Sequence, residues 1–172
     1  CQKLISENSL VLDQIAKIVV HGFHEMKRLG DHLPRTEEEA QFNVAWPLAI
    51  YLIHGEISPH HILQKNLSNE EIIALARRIT VIETEEINQA HRPDSYPCRV
   101  EMFLHGGQCL DSGLVHYEHS STGETDTAYG DYTRHEDVVA KFMHITEPVM
   151  ANGDGQALLE LVENLDDLED LS

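Results

Sequence analysis

An α+β fold is predicted, with a small mixed or antiparallel sheet covered by helices, followed by a C-terminal helix whose apolar stripe needs a further partner. Apolar residues alternate at Val100, Met102 and Leu104, as on a half-buried strand. Helical patterns flank the strand-like runs ITVIE, CRVEMFL and QCLDSGLV without a repeating β-α-β alternation. Near the C-terminus, Leu158, Leu161, Leu165 and Leu168 recur at three- and four-residue spacing, giving one apolar stripe on an otherwise acidic helix.

Taken in order, CQKLISENS reads as the back half of a helix without a capping residue ahead of it. QIAKIVVHGF, from Gln14 to Phe23, is rich in strand formers and ends at a glycine, so a buried strand is expected there. Thr36 and Glu39 have capping-box spacing, which predicts a helix running to Gly55 with a kink at Pro47. SPHHIL predicts a short helix, and Ser68 is placed to cap a second amphipathic helix over NEEIIALARR. From Ile79 the pattern turns to strands, the last two joined as a hairpin through Gly106-Gly107. A two-residue turn would put Leu110 and Leu114 on the wrong face, so a bulge or a longer loop is expected. HSSTGETDTAYGDYTR is a surface loop by composition, and HEDVVAKFMHITEPVM leads to the acidic terminal helix.

A length of 172 residues with 41% apolar content is enough for one domain with a real core, or for part of something larger. The formal net charge of -18 repels phosphate backbones and anionic lipid headgroups, which argues against nucleic-acid or membrane partners. No apolar run approaches the roughly 18 to 20 residues needed to span a bilayer, so a cytoplasmic protein is expected. Three scattered cysteines do not resemble a disulfide framework, which agrees with a reducing compartment. With the hairpin centred on Gly106-Gly107, Cys98 falls opposite Val115 and Cys109 opposite Leu104, so the two are not partners.

Twelve histidines invite a metal reading, but their spacing argues against it. His21 and His24, like His116 and His119, are three apart and point to opposite faces of a strand. His60 and His61 are adjacent and do not share one helix face. HExxH, paired CxxC and EF-hand patterns do not occur in the sequence, nor do GxSxG, P-loop or GxGxxG patterns.

The most unusual stretch is AQFNVAWPLAIYLIHGEI, where the lone tryptophan stands beside a proline just after two amides. In one reading Trp46 is a core aromatic on a helix that packs against the sheet. In the other, Pro47 kinks the helix so that Gln41, Asn43 and Trp46 meet a ligand at a domain edge. Composition leaves both open.

The ordered motifs EAQFNVAWPLAIYLIHGEIS, NEEIIALARRITV, SYPCRVEMFLHGGQ, YGD and HEDVVAKF together resemble the C-terminal part of the MmgE/PrpD family. That family includes 2-methylcitrate dehydratase, cis-aconitate decarboxylase and iminodisuccinate epimerase. The resemblance implies a two-domain enzyme, dimeric and cofactor-independent, with a large all-helical domain and a smaller α+β lid. Residues 1–134 would form most of that lid, and 135–172 the helices returning to the N-terminal helical domain, expected here as an absent partner. A truncated chain would account for the uncapped first helix and the uncovered leucine stripe. The implied chemistry is proton abstraction beside a carboxylate of a small di- or tricarboxylic acid, without metal or iron–sulfur cluster. The base and cationic groups would lie outside this chain, which alone would be inactive. Trp46 occupies a lid-helix position where decarboxylase-like members carry tyrosine and many others phenylalanine, so it would keep an aromatic wall without a phenolic proton donor. The competing expectation is a stand-alone, non-catalytic binding or oligomerisation module that keeps the lid fold and buries the leucine stripe in itself or in a homodimer.

Overall fold

The structure, a computed structural model, describes residues 1–93, 95–118, 135–151 and 153–165. Strands β1 (Ile15–Gly22), β2 (Ile79–Glu83), β3 (Ser95–Leu104) and β4 (Cys109–Glu118) form one sheet in the order β2-β1-β3-β4. β1 pairs parallel with β2 and antiparallel with β3, and β3 pairs antiparallel with β4, so the sheet is mixed. The helices are α1 (Gln2–Glu7), α2 (His24–Leu29), α3 (Glu37–Gln41), α4 (Ala45–His54), α5 (Glu70–Ala76), α6 (Glu85–Ala90), α7 (His135–Thr146) and α8 (Asp154–Glu163). The chain divides into two units, Cys1–His119 and Ser120–Ser172, each described by itself.

In the first unit, alternation on the strands sends Ile18, Val20, Val81, Val100 and Met102 into a common core. Trp46, Ala49 and Ile50 of α4 and Ile72, Leu75 and Ala76 of α5 pack there. Each large apolar side chain buried in this way contributes about 1.5–3 kcal/mol.

Several expected elements are present with altered edges. The run from Thr36 to Gly55 is two helices, α3 and α4, broken at Phe42–Val44. The kink expected at Pro47 does not occur: Pro47 sits in the first turn of α4, where a backbone N–H has no partner within the helix and its loss costs nothing. Thr36 accepts from Glu39 N at 3.2 Å, while the Glu39 carboxylate reaches back to Arg35 N at 2.7 Å rather than to Thr36. α4 ends at Gly55, whose φ of 77° terminates the helix. Asn69, not Ser68, caps α5, accepting from Glu71 N and Ile72 N. SPHHIL forms a 3-10 turn at Pro59–Ile62. α2 and α6 were not anticipated.

The hairpin shows both the longer loop and the bulge. Its loop is His105–Gly107, closed by Leu104 N donating to Gln108 O, with Gly107 at a φ of 85°. Phe103 therefore pairs with Cys109, which corrects the expected Leu104–Cys109 pairing. A register shift on the β4 side, where Gly113 has a φ of 63°, restores the original offset, so Cys98 does lie opposite Val115. Leu110 thereby pairs with buried Met102 and joins the core. The HSSTGETDTAYGDYTR stretch, including YGD and His119, and the chain beyond Leu165, including Leu168, lie outside the described residues.

The described part of the second unit is a pair of helices, α7 and α8. They approach closely at Gly155, where an added Cβ would stand 3.1 Å from Thr146 Oγ1. His135 of α7 pairs with Glu163 of α8 at 2.8 Å. In α7 and α8 only Gly155 is buried, and Leu158, Leu161 and Leu165 are exposed.

Candidate functional site

The junction between α3 and α4 holds the three residues singled out in the sequence, and it sends them in different directions. Gln41, at the end of α3, is exposed, and next to it Phe42 is 62% exposed. Asn43 is only 5% exposed. Its Oδ1 accepts from Trp46 N at 2.8 Å, capping α4 from within the break, and its Nδ2 donates to His32 O at 2.9 Å. Trp46 is 0% exposed in the core of the first unit, and its Nε1 has no hydrogen-bond partner among the described residues. Asn43 and Trp46 thus shape the junction from beneath, while Gln41 and Phe42 form its surface.

A second polar constellation, which the sequence reading missed, occupies the sheet face opposite the core. Arg99 and Glu101 stand two apart on β3 and share a face with His21 of β1 and Asp111 of β4. His21 Nε2 lies 2.7 Å from Glu101 Oε2. Arg99 Nε donates to Asp111 Oδ1 at 2.9 Å, and its Nη2 donates to Asp111 Oδ2 and, at 3.4 Å, to Glu101 Oε1. Hydrogen bonding from Arg99, and then from Gly113 N, holds the Asp111 carboxyl below the usual carboxylate range. The same pairing raises the Arg99 guanidinium above its ordinary value. A cavity of about 200 Å³ opens beside these residues, bordered also by Thr84, Glu86, Ile87 and Leu114. Three carboxylates there surround one guanidinium that is already bidentately bound, so the cavity does not attract a di- or tricarboxylate. The alternation of charges across Arg99 and Glu101 was the signal available in the sequence.

The histidine pairs separate. His21 goes to Glu101, and His24 to Glu83 at 3.2 Å. The Glu83 carboxyl is lowered by the Asn88 side chain first and His24 second. His116 Nδ1 lies 3.2 Å from Ser95 Oγ, and His54 and His61 stack with ring centroids 4.7 Å apart. Among the described residues no group of three or more His, Cys, Asp or Glu is arranged to hold a metal ion. No described helix is long and apolar enough to cross a membrane. The cysteines are free, and burial raises the Cys98 thiol above its ordinary value.

Residues 1–167 match the family model of the MmgE/PrpD C-terminal domain. The chain belongs to the MmgE/PrpD family. No curated protein matches it. As an MmgE/PrpD C-terminal domain, it carries the α3–α4 junction and the polar sheet face on its first unit and the exposed leucine stripe on its second. Two cationic groups of the first unit are engaged with backbone carbonyls: Lys27 Nζ donates to Val81 O, and Arg78 Nη1 to Ile15 O.

Proposed function

We propose that this chain is the lid portion of a cofactor-independent, lyase-type MmgE/PrpD enzyme that dehydrates a small di- or tricarboxylic acid such as 2-methylcitrate, or decarboxylates or epimerises one. The lid acts with an all-helical domain. The observation that carries this reading is the family match over nearly the whole chain, combined with a helix pair whose leucines remain exposed. Such a stripe requires an apolar partner, and a helical domain supplies one.

The chemistry requires a tuned general base beside the acidic C–H and cationic groups that stabilise the developing negative charge. The paired state of Arg99 and the acidic surroundings of its cavity direct those roles to the partner domain. This chain covers the substrate at the α3–α4 junction, in a cytoplasmic, homodimeric enzyme. Gln41 offers a polar contact, Asn43 fixes the junction, and Trp46 acts as a positioning residue behind it. With no phenolic O–H at position 46, dehydration or epimerisation is favoured over decarboxylation.

The test has two parts. The 172-residue chain alone turns over neither 2-methylcitrate nor cis-aconitate; measurable turnover of either contradicts the proposal. In the complete enzyme, Trp46→Ala lowers kcat with a smaller change in KM, and Trp46→Phe restores it. Equal and unimpaired rates for both variants return Trp46 to a purely structural role.

The second reading, a stand-alone binding or oligomerisation module, draws on the first unit's self-contained core. It requires the leucine stripe to be buried within the chain itself or in a homodimer. Light scattering on the isolated chain separates the two: a stable dimer lost on Leu161→Lys favours the module.

A further inference from the structure

β2 is an outer strand, paired with β1 alone among the described strands. Its backbone alternates in direction. Ile18 N donates to Arg78 O at 2.8 Å and Thr84 N donates to Gly22 O at 3.1 Å, so the even-numbered positions face β1. In a parallel ladder this turns both backbone groups of Val81, in the middle of β2, away from the sheet. There they meet side chains. Val81 N donates to Asp31 Oδ2 at 2.6 Å, and Lys27 Nζ donates to Val81 O at 2.7 Å. The two charged groups also pair with each other at 3.7 Å. Together they occupy the positions that the C=O and N–H of an incoming strand would take.

We infer that Lys27 and Asp31 close the β2 edge against addition of a strand from a second copy of this chain. The exposed row of backbone groups on an outer strand is a template for pairing, and ITVIE is a ready substrate for it, being rich in β-branched residues with a single charge and no proline. Local structure delivers the two side chains. Gly22 at the end of β1 lets α2 lie close, since a Cβ there would stand 2.4 Å from Met26 Sδ. Lys27 projects from α2, and Gly30, with a φ of 83°, turns the chain so that Asp31 returns to β2.

The test compares the wild-type 172-residue chain with a Lys27→Met/Asp31→Ala double variant and with Asp31→Asn, which keeps an acceptor for Val81 N. Amide hydrogen exchange is followed at Val81, with Ile18 and Val100 as reporters of the sheet, and mass is followed by light scattering over a concentration series. In the double variant at low concentration, Val81 exchanges at least tenfold faster than in wild type while Ile18 and Val100 stay protected. Raising the concentration slows Val81 again and increases the mass. Asp31→Asn behaves as wild type. Unchanged Val81 exchange in the double variant overturns the inference, as does fast exchange at every concentration without a gain in mass. Loss of protection at Ile18 and Val100 also overturns it, because the pair would then hold the fold rather than guard its edge.

Discussion

The two units of this chain treat their apolar residues in opposite ways. In Cys1–His119, Ile15, Ile18, Trp46, Ala49, Ile50, Val81 and Met102 are fully buried between a sheet and its helices. In the described part of Ser120–Ser172, Val138, Ile145, Val149, Leu158, Leu161, Val162 and Leu165 are all exposed. The contrast follows from layer number. A sheet with helices on one face closes a core, whereas two helices cross along a single line and leave the rest of each apolar face uncovered. The first unit therefore has a buried core of its own, whereas the described helices of the second leave their apolar faces exposed.

The largest expected effect separates the units directly. Trp46→Ala destabilises the chain by about 3–5 kcal/mol, measured by urea unfolding. Leu161→Ala, the matching truncation on α8, changes stability by no more than about 0.5 kcal/mol in the isolated chain. A comparable loss at both sites would erase the distinction between the units. Asn43→Ala comes next, at about 1–2 kcal/mol, because it removes the cap of α4 and the donor to His32 O. Trp46→Phe is smaller, within about 1 kcal/mol of wild type, because the lost ring volume is offset by removal of a buried N–H without a partner.

The smallest effect is at Asp111. Its carboxyl is lowered in the folded state, so its contribution is present above the unfolded value of about 3.9 and is lost as pH falls through the folded value. Asp111→Asn lowers stability slightly at neutral pH, where the contribution is present, and converges on wild type at the acid end, so the acid limb of its profile is flatter. The Asp111 side chain is solvent-exposed, so solvent screening keeps this effect slight.

What could be read in the sequence follows the same physics. β3 was legible because Val100, Met102 and Leu104 alternate on a half-buried strand, and the hairpin register showed that a bulge or longer loop was required. α2 and α6 were not, since α2 buries no residue and α6 buries only Ile87, leaving no periodic apolar face. The break at Phe42–Val44 was hidden inside an apolar run because its cause is one side chain, Asn43, turned inward to cap the following helix. Gln41, Asn43 and Trp46 could be singled out by composition, but their divergence depends on that break. The Arg99–Asp111 pair depends on the three-residue loop His105–Gly107, whose register sets Asp111 opposite Glu101 on the same face.

On the proposed reading, the exposed leucine stripe packs against a helical domain of the same enzyme. The most direct measurement is the intact mass, under denaturing conditions, of the native polypeptide captured from its source cell with an antibody to this region. The expected result is a single chain well above 19.5 kDa, with room for an all-helical domain. A mass of 19.5 kDa would contradict it and leave the lid fold as a module in its own right.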